Sequence, residues 1–103
     1  MNNRLLGDTA LMRTVAETFM DDMKRQIETL KSAASTGDVQ QTTAQAHKIK
    51  GAAANVGGMA LSARALEMEQ ACKTGELQAI CQELPQLEES FAQLRVAMRK
   101  VLF

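Results

Sequence analysis

Aromatic residues are nearly absent from this chain: it has no tryptophan, no tyrosine and three phenylalanines in 103 residues. Its core must therefore be built from Leu, Met, Ala, Val and Ile, a composition poor in β-branched residues that favours helices over strands. Neither sign of charge is in excess, with twelve basic and twelve acidic residues. A protein held to nucleic acid by phosphate neutralisation needs a basic surplus, so no nucleic-acid partner is expected. No apolar run approaches the ~18 residues that would span a bilayer, and the N-terminus has no signal-peptide core. No membrane insertion and a cytoplasmic location are expected, directly or as a cytoplasmic module of a membrane-bound sensor. Cys72 and Cys81 are the only cysteines. Without CxxC spacing they suit a reducing compartment as buried small hydrophobes, and with a single histidine they cannot make up a zinc ligand set. No metal site and no bound cofactor are expected.

What the chain does have is helical periodicity punctuated by glycine. Gly7-Asp8 is expected to end a short N-terminal element at about residues 3–6, with Asp8 capping the next helix. That helix runs to about Ser35, with Met12, Val15, Phe19, Met23, Ile27, Leu30 and Ala34 along one side. Gly37 can take the left-handed terminating conformation and Asp38 caps a second helix that ends near Gly57-Gly58. A third covers Met59 to Thr74, with Leu61, Ala65, Met68 and Cys72 facing inward, and Gly75 closes it. The last segment repeats Leu77, Ile80, Leu84, Leu87, Phe91, Leu94, Met98 and Val101 at spacings of three and four. Pro85 falls inside it without changing phase, so a kink or brief break is expected there. Residues 1–103 thus read as one all-α domain, an antiparallel four-helix bundle with a short extra N-terminal helix. The seven methionines fall mostly on or beside the apolar stripes and read as core packing.

The single histidine, His47, lies on the second helix. Val39, Thr42, Ala46, Ile49, Ala53 and Val56 define that helix's buried stripe, and at ~100° per residue His47 lies roughly 140° from its middle. It therefore points outward. Gly51, one turn along the same face, leaves the space beside the imidazole clear, although an interior glycine costs a helix roughly 1 kcal/mol relative to alanine. Thr43, Ala44 and Ala54 complete a face of small residues around it, suited to close approach by another surface. From residue 39 to residue 66 there is no Asp or Glu, and Lys48, Lys50 and Arg64 are the only fixed charges. A field of that sign favours an anionic group beside the imidazole.

The run Ala46-His47-Lys48-Ile49-Lys50-Gly51, followed by Gly57, closely resembles the signature of histidine-containing phosphotransfer (HPt) domains, as found at the C-terminus of bacterial hybrid sensor histidine kinases. Leu61 and Leu66-Glu67 resemble that family's following helix, and Gly37-Asp38 its preceding turn. The likeness spans essentially the whole chain, and its specific part is residues 46–67. The resemblance implies a phosphorelay intermediate in two-component signal transduction. It would accept a phosphoryl group on His47 from a receiver-domain aspartate and pass it to another. Response-regulator receiver domains are the implied partners, and each would supply the phosphorylated aspartate and a Mg2+ ion. Lys50 matches the family's lysine position and is the better candidate for pairing with phosphoryl oxygens. Lys48 is the weaker candidate, being turned ~100° from His47. The domain is expected to be monomeric in isolation. Both a free-standing shuttle and a module of a longer kinase fit the sequence.

The chemistry is consistent with sparse equipment. A free histidine side chain has a pKa near 6.5, so its neutral, nucleophilic form is plentiful at pH 7. Attack by a ring nitrogen, expected to be Nε2, on an acyl phosphate is nucleophilic catalysis that leans mostly on positioning. No Asp-His pair or second catalytic residue is evident near His47. No Gly-rich nucleotide loop is present, and the acidic residue and proline that usually follow the histidine of dimerising kinase domains are missing. Autonomous ATP-dependent kinase activity is therefore not expected. The competing reading is a non-catalytic helical interaction module with an incidental surface histidine.

Overall fold

The structure, a computed structural model, describes the backbone of residues 2–102 and the side chains of residues 10–100. Its described residues form four helices: α1 (Asn2–Thr36), α2 (Val39–Asn55), α3 (Met59–Thr74) and α4 (Leu77–Leu102). Two- and three-residue connections force consecutive helices antiparallel. Packing runs α1 on α2, α2 on α3, α3 on α4 and α4 back on α1, and among the described residues the backbones of diagonal helices do not approach one another closely. This is the expected up-down-up-down bundle.

Local chemistry sets the turns. Gly37 adopts φ +77°, and the amides of Gly37 and Asp38 donate to the carbonyls of Ala34 and Ala33 at 3.2 and 3.0 Å. This closes α1 in a Schellman arrangement that needs a left-handed residue. Asp38 then starts α2, its Oδ1 accepting from the Gln41 amide at 3.0 Å.

The α2–α3 connection repeats the device and adds a tight contact. A Cβ on Gly58 would lie 2.9 Å from Leu94 Cδ2 on α4 and 3.2 Å from the Ala53 carbonyl oxygen. Because one of those neighbours is backbone, Gly58→Ala is expected to destabilise the fold by about 1–3 kcal/mol through overpacking. Urea denaturation checks this, and an unchanged midpoint would show that the Leu94 tip moves aside freely.

The core is aliphatic and sulfurous, centred on Met23 and Leu30 of α1, Ile49 of α2, Leu61 and Met68 of α3, and Ile80 and Leu87 of α4. Ala46 and Ala53 are fully buried, and their small side chains let α2 lie close against its neighbours.

Helix lengths overturn three sequence expectations. The expected break at Gly7-Asp8 does not occur: α1 is one continuous helix, and no separate short N-terminal helix precedes it. An interior glycine costs only about 1 kcal/mol, which an otherwise helical stretch absorbs; the Asp8 side chain lies outside the described residues. At 1.5 Å per residue α1 is about 52 Å long, matching the 54 Å long axis of the molecule, whereas α2 and α3 reach only about half as far. Met12 and Val15, expected inside, therefore lie beyond the ends of α2 and α3 and are 54% and 56% exposed. Val56, assigned to the buried stripe, is likewise exposed because it caps α2 rather than continuing it.

Two features of α4 complete the picture. It passes through Pro85 without interruption, at the cost of the hydrogen bond Pro85 cannot donate to the Cys81 carbonyl. Cys72 is buried as expected, but Cys81 is exposed, lying off the Ile80–Leu84–Leu87 stripe.

Candidate functional site

His47 sits near the middle of α2 with its side chain 69% exposed. The space over Gly51 is open, with nothing within 4 Å of where a Cβ would be. Ala44 and Ala54 are exposed on the same face. Thr43 is half-buried there, its hydroxyl spent on the Val39 carbonyl at 2.8 Å. The structure thus brings together the face expected from the wheel.

The unexpected member is an acid from α3. Glu69 Oε1 lies 3.4 Å from His47 Nδ1 and 2.9 Å from Lys50 Nζ. Its side chain is only 15% exposed. Neither neighbour meets that oxygen at hydrogen-bond angles, so short-range Coulomb attraction makes the contact. The register is held beside it by Ser62, whose hydroxyl donates across the helix pair to the Lys50 carbonyl at 3.1 Å.

The Lys50 ammonium holds the Glu69 carboxyl below the usual carboxylate range; burial opposes the shift, and His47 adds a smaller lowering. Glu69 is therefore ionised at neutral pH. A carboxylate facing Nδ1 favours the tautomer with the proton on Nδ1, which leaves the Nε2 lone pair on the other edge of the ring.

This changes the charge picture drawn from sequence. The acid-free stretch of residues 39–66 is real, but the field at His47 is not purely positive, because α3 supplies a carboxylate from outside that stretch. Lys50 is not a free cation; it is ion-paired and about two-thirds buried. Lys48 is exposed and has no ionic partner among the described residues.

A signal for Glu69 was present in the sequence. It stands four residues after Ala65 and three before Cys72, beside the buried stripe of α3, where an unpaired acid would be costly. Among the described residues, no group of three His, Cys, Asp or Glu side chains is placed to hold a metal ion.

The open space over Gly51 has a measurable consequence. Gly51→Leu is expected to raise the melting temperature by about 4–8 °C, since leucine is a better helix former by nearly 1 kcal/mol and meets no neighbour. It is expected to slow transfer from a protein donor. A lower melting temperature would mean that this face is packed.

An outward histidine, a lysine one turn on, a clear glycine floor and an orienting carboxylate make a nucleophile presented to a macromolecule rather than enclosed for a small substrate. The family model of the Hpt domain matches residues 14–97. The chain belongs to the Hpt domain family. Among solved structures, the crystal structure of histidine-containing phosphotransfer protein B (HptB) from Pseudomonas aeruginosa PAO1 is 27% identical, with a TM-score of 0.80 over 97% of this chain and 90% of that one. Among curated proteins, none matches the chain. This Hpt domain acts in histidine phosphotransfer within phosphorelay signalling, and Hpt domains work with response-regulator receiver domains.

Proposed function

We propose that His47 carries the phosphoryl group in this relay. It is the only histidine in the chain. The observation that supports the assignment most directly is the Glu69 carboxylate against Nδ1, with the opposite edge of an exposed ring left clear beside Gly51.

In this reading the Nε2 lone pair attacks the phosphorus of a receiver's aspartyl phosphate. The N–P bond forms, the acyl O–P bond breaks, and the aspartate leaves as carboxylate. The ring then holds its Nδ1 proton and a positive charge, which Glu69 stabilises. Lys50 is a few ångströms from the imidazole through their shared carboxylate. It moves from Glu69 toward the phosphoryl oxygens as they arrive. A magnesium ion bound by the receiver would neutralise phosphoryl oxygens on that side. Microscopic reversibility lets the same groups return the phosphoryl group to a second receiver.

The test is incubation with phosphorylated receiver domains, reading label that is acid-labile and base-stable as expected of phosphohistidine. A folded chain that takes no label from any phosphodonor would favour the alternative of a helical interaction module with an incidental histidine.

A further inference from the structure

A domain that delivers a phosphoryl group to His47 must cover the surface around it. Weak signalling interfaces bury several hundred Å² per partner, a disc reaching two helical turns or so from its centre. Inside that disc, two side chains without a role in the bundle or in the reaction as described stand nearest the imidazole and its glycine floor, one apolar and one charged.

Leu66 is one. It lies on α3 one turn before Glu69, in the direction of Ser62. Because α3 runs antiparallel to α2, and Ser62 meets the Lys50 carbonyl, that direction leads from His47 toward Gly51 and Ala54. Leu66 is 42% exposed, a large apolar side chain beside a floor of glycine and alanine. Lys48 is the other. It flanks His47 on the side away from Lys50 and, unlike Lys50, has no carboxylate to neutralise it among the described residues.

We infer that Leu66 and Lys48 determine which receiver domain this chain engages, Leu66 as an apolar anchor across the Gly51 floor and Lys48 as an electrostatic guide for an acidic partner surface. The inference rests on the His47 reading and extends it from chemistry to partner choice. The occupant it requires is a phosphorylated receiver domain with an apolar side chain opposite Leu66 and an acidic group opposite Lys48. The negative charge of the incoming acyl phosphate matches the uncommitted cation. Apolar anchors act mainly on dissociation and rim charges mainly on association, so the two residues leave different signatures.

The experiment compares two phosphodonors: phosphoramidate, which needs no docking, and the receiver that labels the wild-type chain fastest among a panel loaded with acetyl phosphate. Leu66→Ala is expected to raise KM for the receiver about tenfold with little change in kcat. Its labelling by phosphoramidate should match wild type. Lys48→Ala is expected to lower kcat/KM for the receiver about tenfold at low salt, with the deficit closing near 0.5 M salt and Lys48→Arg restoring the rate. An unchanged KM in Leu66→Ala, or a Lys48→Ala deficit indifferent to salt, overturns the inference. So does a wild-type chain that phosphoramidate labels and no receiver does. Loss of phosphoramidate labelling in the wild type would instead strike the His47 reading itself.

Discussion

His47→Gln is expected to reduce phosphoryl label to background, a loss of at least about a thousandfold, with the helical circular dichroism and melting temperature unchanged. The two halves of this result come from different parts of the structure. Loss of label follows from chemistry: the glutamine amide nitrogen has its lone pair delocalised into the carbonyl and cannot attack phosphorus, and no second imidazole exists to take over. Retention of fold follows from position. The His47 side chain is 69% exposed and belongs to no part of the aliphatic core, and surface substitutions outside buried networks usually change stability by less than about 0.5 kcal/mol. Label retained in the variant would place the phosphoryl group elsewhere. A variant that melts early would mean that the His47–Glu69–Lys50 cluster carries more of the bundle's stability than its exposure suggests.

The second large effect is expected at Glu69. Glu69→Ala should slow transfer about 10- to 100-fold, the range seen when the carboxylate behind a metal-bound imidazole is removed, since here too the carboxylate orients and polarises the ring. Two opposing electrostatic effects act on this residue. The carboxylate attracts the cationic ring formed on attack and repels the incoming phosphoryl oxygens. At an effective dielectric near 20, a unit charge about 4 Å away is worth roughly 4 kcal/mol, and one about 8 Å away roughly half that. The ring is the nearer charge, and the phosphoryl group is hydrated and also faces Lys50, so stabilisation prevails and removal slows the reaction. Glu69→Gln keeps a polar carbonyl of the same size beside Nδ1 without the charge and is expected to fall between alanine and wild type. A variant faster than wild type would show that repulsion dominates.

Acid should mimic the Glu69 substitution. The folded-state carboxyl titrates below its ordinary value, chiefly because of Lys50. Its contribution to stability is therefore fully present above the ordinary value of 4.5 and is lost as pH falls through the depressed folded value. Melting curves for wild type and Glu69→Gln should differ at neutral pH and converge only in strong acid. With both partners partly exposed, the difference is expected to be small.

The readable parts of the fold were those written in adjacent residues. The Asp38 cap with Gly37 before it, and Gly75 after Thr74, fixed where helices begin and end, because caps are local hydrogen bonds between near neighbours. The limits of α3 and its inward residues Leu61, Ala65, Met68 and Cys72 came from periodicity in the same way. The orientation of His47 and the clearance over Gly51 were legible for the same reason, since both depend on the wheel of one helix.

Other features depend on information held in separate elements. Met12 and Val15 sit on a good apolar stripe, yet whether a stripe is buried depends on how far the opposing helices extend, and α2 and α3 are too short to cover them. Gly7-Asp8 has the form of a break, but a glycine penalty near 1 kcal/mol does not outweigh helical continuity in this structure. By itself the sequence determined the helices, their order and a nucleophile facing outward. Tertiary structure alone decided its electrostatics: Glu69 reaches His47 and neutralises Lys50 because α3 lies antiparallel in a register held by packing and Ser62, and pairing between separate helices is a property of the assembled bundle.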